Sequence, residues 1–372
     1  THIGAFRTGI PDLAGFPFDV WGQIAARHWR APDLNWLGYG DPAGYLPLRA
    51  AIAGYLGEAR AVRCTPEQII ITNGSQGGID LAARVLLDPG DAVWMEDPGY
   101  AGARGALVGA GMRLIPVPVG PEGLEVATGE ALCPTARLAY VSPSHQYPLG
   151  VTMSLRRRLD LLAWAKQAGA WVLEDDYDSE YRYTGRPLAA LQGLDSSGRV
   201  IYIGTFSKVL FPALRLGYVV VPPDLVQPFG AARALIDRHS PTVDQAILAD
   251  FIAEGHFARH IRRMRERYAE RQGVLAAELR RILPNHLAVT SAAAGMFLVA
   301  TLPAGSNDRT LTQRLAARGI TAGALSIYYH GPAPRHALLL GYAAFTPQQI
   351  RTGVATLATV LRSAPQFQPA DR

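Results

Sequence analysis

Cysteine is nearly missing: only Cys64 and Cys133 occur in 372 residues. Two thiols make no disulfide framework and carry no metal-ligand spacing, so the chain suits a reducing, cytosolic setting and no metal is expected. Charge is also sparse. Charged residues are 18% of the chain and the formal net charge is +5, too mild to imply nucleic-acid binding by this chain alone. No apolar run is long enough to span a bilayer, and no signal peptide is recognisable. Internal repeats and low-complexity tracts are absent. These gaps exclude a disulfide scaffold, a membrane-spanning helix bundle and a solenoid.

What remains is a globular composition, 49% hydrophobic, with 38 glycines and 27 prolines for many short connections. A length of 372 residues exceeds one simple core and predicts two domains. The chain starts at Thr1 rather than Met, which suggests that something upstream was removed, and SAPQFQPADR (363–372) reads as a frayed end.

Strand-like and helix-like segments alternate through the middle. DAVWME (91–96), MRLIPVPV (112–119), RLAYVS (137–142), AWVLEDDYD (170–178), RVIYIGT (199–205) and LGYVVV (216–221) are strand candidates. SLRRRLDLLAWAKQAG (154–169) is a helix pattern between two of them, with Ser154 as its cap and Gly169 as its end. This order predicts an α/β fold with a mostly parallel sheet covered on both faces. Beyond about residue 235 the pattern changes. HFARHIRRMRERYAERQGVLAAELRRIL (256–283) is one long amphipathic helix with Ile261, Met264, Tyr268, Leu275 and Leu279 on its apolar stripe. Its arginines (Arg262, Arg263, Arg265, Arg267, Arg271) read as a solvated face beside neighbouring glutamates. The expected division is an N-terminal segment, 1–35, that packs on a small domain; a large domain, 36–240; and a small α+β domain, 241–372.

Candidate chemistry gathers after the predicted strands. In GTFSKVLFPALRLGY (204–218), Lys208 follows Thr205 and Ser207, and Arg215 comes seven positions later. A lysine at the carboxyl end of a strand faces the crevice where α/β sheets bind ligands. Partly desolvated, it loses basicity and can attack an aldehyde. Hydroxyls and a forked cation beside it suit a phosphate. Pyridoxal phosphate has both an aldehyde and a phosphate, and it requires an acid for its ring nitrogen.

AWVLEDDYD supplies that acid: on a strand Asp175 and Tyr177 share a face, opposite Glu174 and Asp176. An aspartate and a tyrosine so placed suit the ring nitrogen and the ring hydroxyl. TNGSQGGIDLAARVLL (72–87) reads as strand, tight turn and helix, with Gly74, Ser75 and Gln76 at a helix N-terminus suited to an anion. EDPGY (96–100) presents Tyr100, an aromatic that can stack on a flat ring. SPSHQYPLG (142–150) is a polar loop that can turn His145 and Gln146 toward the crevice.

With these residues assembled, the chain resembles a fold-type I pyridoxal-phosphate protein of the aspartate aminotransferase superfamily. It resembles more narrowly the aminotransferase-like domain of MocR/GabR-type bacterial transcriptional regulators of the GntR family. The stretches that carry this are GYGDPAGYLPLRAAIAGYL, TNGSQGGIDLAARVLLDPGD, EDPGY, SPSHQYPLGVTMSLRRRLDLLAWA, LEDDYDSEYRY, YIGTFSKVLFPALRLGYVVVP and HFARHIRRMRERY. They spread over nearly the whole chain.

The resemblance implies a large domain built on a mostly parallel seven-stranded sheet, plus a smaller α+β domain. It implies pyridoxal 5'-phosphate bound as an internal aldimine on Lys208, with Asp175 on the ring nitrogen, Tyr177 on the ring hydroxyl and Tyr100 stacked on the ring. Ser75, Gln76, Ser207 and Arg215 would meet the phosphate. Tyr39 would reach the phosphate of a partner subunit, because such sites form between two subunits of a dimer.

Regulators of this kind carry an N-terminal winged-helix DNA-binding domain that is absent from this sequence. DNA contact is therefore expected only through that domain, with an amine or the cofactor itself as the signal. Family members that bind amino-acid carboxylates place an arginine where ALLLGYA has Leu339, so the usual carboxylate clamp is missing. Arg104 or Arg335 could substitute, with a surface role the favoured reading for each, and Tyr328 or Tyr329 could line the pocket, with core packing the favoured reading. A working aminotransferase is the competing expectation.

Overall fold

The computed structural model describes residues 4–185, 188–289 and 292–363. The end expected to fray lies outside them from residue 364 onward.

The large sheet is made of β1 (Ile69–Thr72), β2 (Ala92–Asp97), β3 (Arg113–Gly120), β4 (Gly123–Leu124), β5 (Leu138–Val141), β6 (Trp171–Asp176), β7 (Val200–Thr205) and β8 (Gly217–Val220). Their order in space is β1-β8-β7-β6-β5-β2-β3-β4. Seven strands match the expectation, and β4 adds a two-residue antiparallel edge beyond it. The run from β3 through β2, β5 and β6 to β7 is parallel. β8 reverses direction between β7 and β1. The cause is the connection: no crossover helix separates β7 from β8, so the chain turns back on itself.

Strand alternation divides the core into two layers. Leu173, Ile201, Ile203 and Val219 face the helix Gly74–Leu86 through Ile79 and Ala82. Val172, Val200 and Trp94 face the opposite layer, where the helix Leu155–Ala168 supplies Leu161 and Trp164. Trp94 stacks on Trp164 at 3.7 Å between ring centroids. That helix starts and stops where the sequence marks it: the Ser154 hydroxyl accepts from the Arg157 N–H, and Gly169 closes it in the left-handed region at φ 64°. The backbone N–H groups of Leu191 and Gln192 satisfy Glu174 on the same side, so Asp175 is left facing the other.

A second sheet holds β9 (Ala288–Val289), β10 (Phe297–Thr301), β11 (Gly323–Ala324) and β12 (Ala337–Gly341), all antiparallel, in the order β11-β12-β10-β9. The helices His256–Ile282 and Pro347–Arg362 lie against it, and the predicted stripe of Ile261, Met264, Tyr268, Leu275 and Leu279 is buried.

The arginine face of the long helix is not simply solvated. Arg271 is buried and donates to Asp12 Oδ2 at 2.9 Å and to the Ala343 carbonyl. Arg267 reaches the same carboxylate oxygen at 3.2 Å, Arg263 donates to the Gly15 carbonyl and Arg265 to the Glu180 carbonyl. Sequence periodicity sees only that these side chains avoid the apolar stripe; it does not see that the N-terminal segment lies over them.

That segment is pinned at several points. Ala5 bridges Ile320, the Phe6 carbonyl accepts from Gly341 N–H at 2.8 Å, and Phe16 packs on Phe251 and His260. Phe6 is fully buried despite a φ of 68°, a left-handed conformation that an aromatic residue adopts only when its surroundings impose it. The result holds Thr8 and Gly9 over the carboxyl edge of the large sheet.

Removing one partner of a buried ion pair leaves the other charge unpaired. Asp12→Ala is therefore expected to cost about 3 kcal/mol. Urea unfolding should show a lower midpoint with an unchanged slope, whereas Arg262→Ala, at an exposed position of the same helix, should leave the midpoint in place.

Candidate functional site

The carboxyl ends of β1, β6 and β7 point to the same edge, and the turn into β8 returns to it. A cavity of about 230 Å³ opens there. Of the residues expected at the site, Ser75, Gln76, Tyr100, Asp175, Tyr177, Ser207, Lys208 and Arg215 all line it.

Lys208 follows β7 in a turn. Its Nζ donates to the Gly9 carbonyl at 3.0 Å. Burial lowers its pKa from the ordinary lysine value; the Asp178 and Asp175 charges oppose that shift without cancelling it. The amine is thus held largely out of water and closer to its nucleophilic form.

Asp175 stands near the end of β6. Its Oδ2 accepts from the Tyr140 hydroxyl at 2.6 Å, while Oδ1 is buried with no partner. Burial pushes the carboxyl up to about 6, against the Tyr140 hydrogen bond that lowers it. An orphaned buried carboxylate oxygen on the cavity wall is the feature that a protonated ring nitrogen would satisfy.

Tyr177 lies two residues further on. Its Oη is 3.0 Å from His145 Nδ1, which is itself 2.9 Å from Asp178 Oδ2. The adjacent carboxylate favours the tautomer with its hydrogen on Nδ1, in which Nδ1–H faces both oxygens. The Tyr177 hydroxyl proton is then free to donate into the cavity, as a ring oxygen there would require.

At the other end, Gly74 begins the helix Gly74–Leu86 with φ 78°. A Cβ at Gly74 would sit 3.1 Å from Arg215 Nη2, and one at Gly217 would sit 2.7 Å from the Gly74 carbonyl carbon. Both glycines let the two turns close on each other. Arg215 itself is a non-glycine residue at φ 52°, and its Nη2 donates to the Asn73 carbonyl at 3.1 Å. The buried Ser207 hydroxyl has no partner. An N-terminal helix turn, a guanidinium and an unpaired hydroxyl form a cradle that would suit a phosphate.

The loop 142–150 behaves differently from the expectation. His145 does not line the cavity: it lies behind Tyr177 and Asp178 and holds both. Gln146 does not face the cavity either. Its amide nitrogen donates to Glu96 Oε2, the Pro98 carbonyl and the Tyr147 carbonyl, and its oxygen accepts from Leu149 N–H. Glu96, pushed up to about 7 by burial, anchors this tie. Extended backbone before each proline does not decide which side chain turns inward, and here Tyr147 does so. Tyr147 packs edge-on against Tyr100 and Tyr177 and shares a 2.8 Å hydroxyl contact with Tyr328.

Tyr39 lies outside the cavity, 84% exposed, with the Arg238 guanidinium 4.7 Å from its ring centroid. Tyr328 and Tyr329 lie behind the cavity wall rather than on it.

Sequence reasoning did not single out Thr8, Gly9, Tyr140, Tyr147, Asp178, Met296 and Phe297 as site residues, yet all line the cavity. For Tyr140 a signal existed: Leu138 and Tyr140 alternate on the face of β5 that carries Asp175 on β6. Thr8, Gly9, Met296 and Phe297 arrive from distant parts of the chain and leave no local mark.

The cradle rests on the open backbone of Gly74. Gly74→Ala adds a side chain at a left-handed position against Arg215 and is expected to weaken pyridoxal phosphate binding about tenfold or more. Fluorescence titration measures it, with circular dichroism reporting on the fold.

The family described as Aminotransferase class I and II matches residues 8–357. The probable rhizopine catabolism regulatory protein MocR of Rhizobium meliloti is 45% identical over 354 residues, 95% of this chain and 71% of that protein. An archaeal alanine:glyoxylate aminotransferase structure superposes with a TM-score of 0.91 at 29% identity, over 98% of this chain and 91% of the other. The α-aminoadipate aminotransferase LysN of Thermus thermophilus, solved with N-(5'-phosphopyridoxyl)-L-leucine, gives a TM-score of 0.89 at 32% identity over 97% and 92%. The fold is that of the fold-type I enzymes, whose cofactor is pyridoxal 5'-phosphate. The chain belongs to the class I and II aminotransferase family, in the branch of MocR-type transcriptional regulators.

Proposed function

We propose that this chain is the ligand-sensing domain of a transcriptional regulator, which holds pyridoxal 5'-phosphate on Lys208 and responds to an amine or to the cofactor itself. The observation that carries the reading is the 45% identity to the MocR regulator across 95% of the chain. The site fits the cofactor on its own terms: a partly desolvated amine, an unpartnered Asp175 oxygen and an unpaired Ser207 hydroxyl beside Arg215.

When bound, the cofactor supplies an electrophilic carbonyl and an electron-withdrawing ring. The chain's own groups do the rest. Lys208 provides the nucleophilic nitrogen, and its depressed basicity keeps more of it unprotonated near neutral pH. Asp175, fixed by Tyr140, is placed to keep a proton on the ring nitrogen. Tyr177, whose oxygen lies 3.0 Å from His145 Nδ1, would present its hydroxyl to the ring oxygen. Ser75, Ser207 and Arg215 would hold the phosphate. Tyr100 and Tyr147, both on the cavity wall, would cover the ring and exclude water.

The same groups favour a second reading, a working aminotransferase, since Lys208 can also move a proton at a substrate carbon. The similarity to solved aminotransferases at 29% and 32% identity supports it. Only one reading predicts sustained exchange. With an amino donor and a keto acceptor, the sensing domain should give one slow half-reaction or none. Steady multiple turnover would favour the enzyme. The sensing reading also predicts that promoter binding by the regulator carrying this domain changes several-fold with ligand, as gel-shift titration would show.

Lys208 yields a direct assignment. Borohydride treatment of the cofactor-loaded protein should fix the pyridoxyl group on the peptide containing Lys208, and Lys208→Ala should lose the adduct. Burial lowers the folded-state pKa of the amine, so the attachment rate should rise with pH about a midpoint below the ordinary lysine value of 10.5. A midpoint at or above that value would show an amine that is not desolvated.

A further inference from the structure

With the cofactor reading taken as given, the cavity also limits what else it admits. Its charged lining is short. The carboxylates are Asp175 and Asp178; the cations are Lys208 and Arg215. In that reading Arg215 sits at the phosphate end, against the Asn73 carbonyl and Gly74, and Lys208 carries the cofactor. No other lysine, arginine or histidine lines the cavity among the described residues.

Tyr147, Met296 and Phe297 also line the cavity, with the Tyr147 and Phe297 ring centroids 5.5 Å apart. Behind Phe297 lies an apolar cluster with Leu325, Ala337 and Leu339. Three arginines of the surrounding elements are committed elsewhere. Arg104 donates to the Tyr329 and Ile327 carbonyls, both at 3.2 Å, Arg182 to the Ser144 carbonyl and the Thr152 hydroxyl, and Arg335 to the Tyr329 hydroxyl. None of the three lines the cavity.

A carboxylate brought against Tyr147, Met296 and Phe297 would lose its water, find no cation and add a third negative charge to the lining. An amine whose remainder is neutral would meet none of these penalties. Its nitrogen would lie beside Lys208, where the cofactor's carbonyl is held. Its body would pack on Phe297 and Met296, with the Tyr147 hydroxyl within the wall for a polar substituent.

We propose that the ligand recognised beside the cofactor is a primary amine without a carboxylate, its body apolar, aromatic or hydroxylated. The selecting feature is the cation-free wall of Tyr147, Met296 and Phe297. Amine exchange needs no further reagent: the incoming nitrogen forms the new bond to the cofactor's carbonyl carbon, the Lys208 nitrogen leaves it, and the displaced amine takes up the proton.

The test uses cofactor-loaded protein and matched probes: tyramine against tyrosine, and ethanolamine against serine. The readout is the concentration dependence of the change in bound-cofactor absorbance. Each amine should act at a concentration at least about tenfold below that of its amino acid. Equal or tighter action of the amino acids would overturn the proposal, as would silence of all four probes on a protein whose Lys208 adduct is confirmed. Absence of that adduct, by contrast, would overturn the cofactor reading beneath it.

Discussion

The structure turns on one primary amine kept out of water. Lys208 cannot bury its charge without compensation, and its surroundings supply only part of it: the Gly9 carbonyl as an acceptor, with the Asp178 and Asp175 charges nearby. The balance leaves it less basic than a surface lysine, which suits attack on a carbonyl. Neighbouring features follow from the same demand. β6 must end with an acid facing the amine, and β7 must deliver the lysine beside it. β8 must reverse so that Arg215 comes back to the helix that starts at Gly74.

Around that amine the chain builds support in layers. Tyr140 fixes Asp175, and His145 fixes Tyr177 and Asp178. Glu96 and Gln146 tie the loop that turns Tyr147 inward. These groups sit where water cannot satisfy them, so each has a short list of acceptable partners. The N-terminal segment completes the enclosure. Asp12 binds the buried Arg271, Phe6 is wedged in the core, and the Gly9 carbonyl accepts from Lys208. In this way the start of the described chain meets the Lys208 side of the cavity directly.

The sequence made much of this legible, because alternation and turn chemistry are local signals. EDDYD on a strand assigns Asp175 and Tyr177 to one face. SKVLFPALR places a lysine and an arginine around a turn, and NGS marks the helix start. Ser154 and Gly169 bound their helix for reasons contained within a few residues. Other features needed the third dimension. Gln146 and Tyr147 are adjacent in a proline-bounded loop, and only the buried Glu96 decides which of them turns away. Arg271 looks like a surface cation until Asp12, from the far end of the chain, covers it. Met296 and Phe297 join the site through a second sheet whose register with the first is written in no local pattern.

The central claim is a covalent bond between Lys208 and pyridoxal phosphate, with Asp175 beneath the ring nitrogen. A crystal structure of the cofactor-soaked protein tests it most directly. The account predicts continuous electron density from the Lys208 side chain into the ring, with the phosphate between Ser75, Ser207 and Arg215. Density for a cofactor bound elsewhere, with the Lys208 amine still on the Gly9 carbonyl, would contradict it.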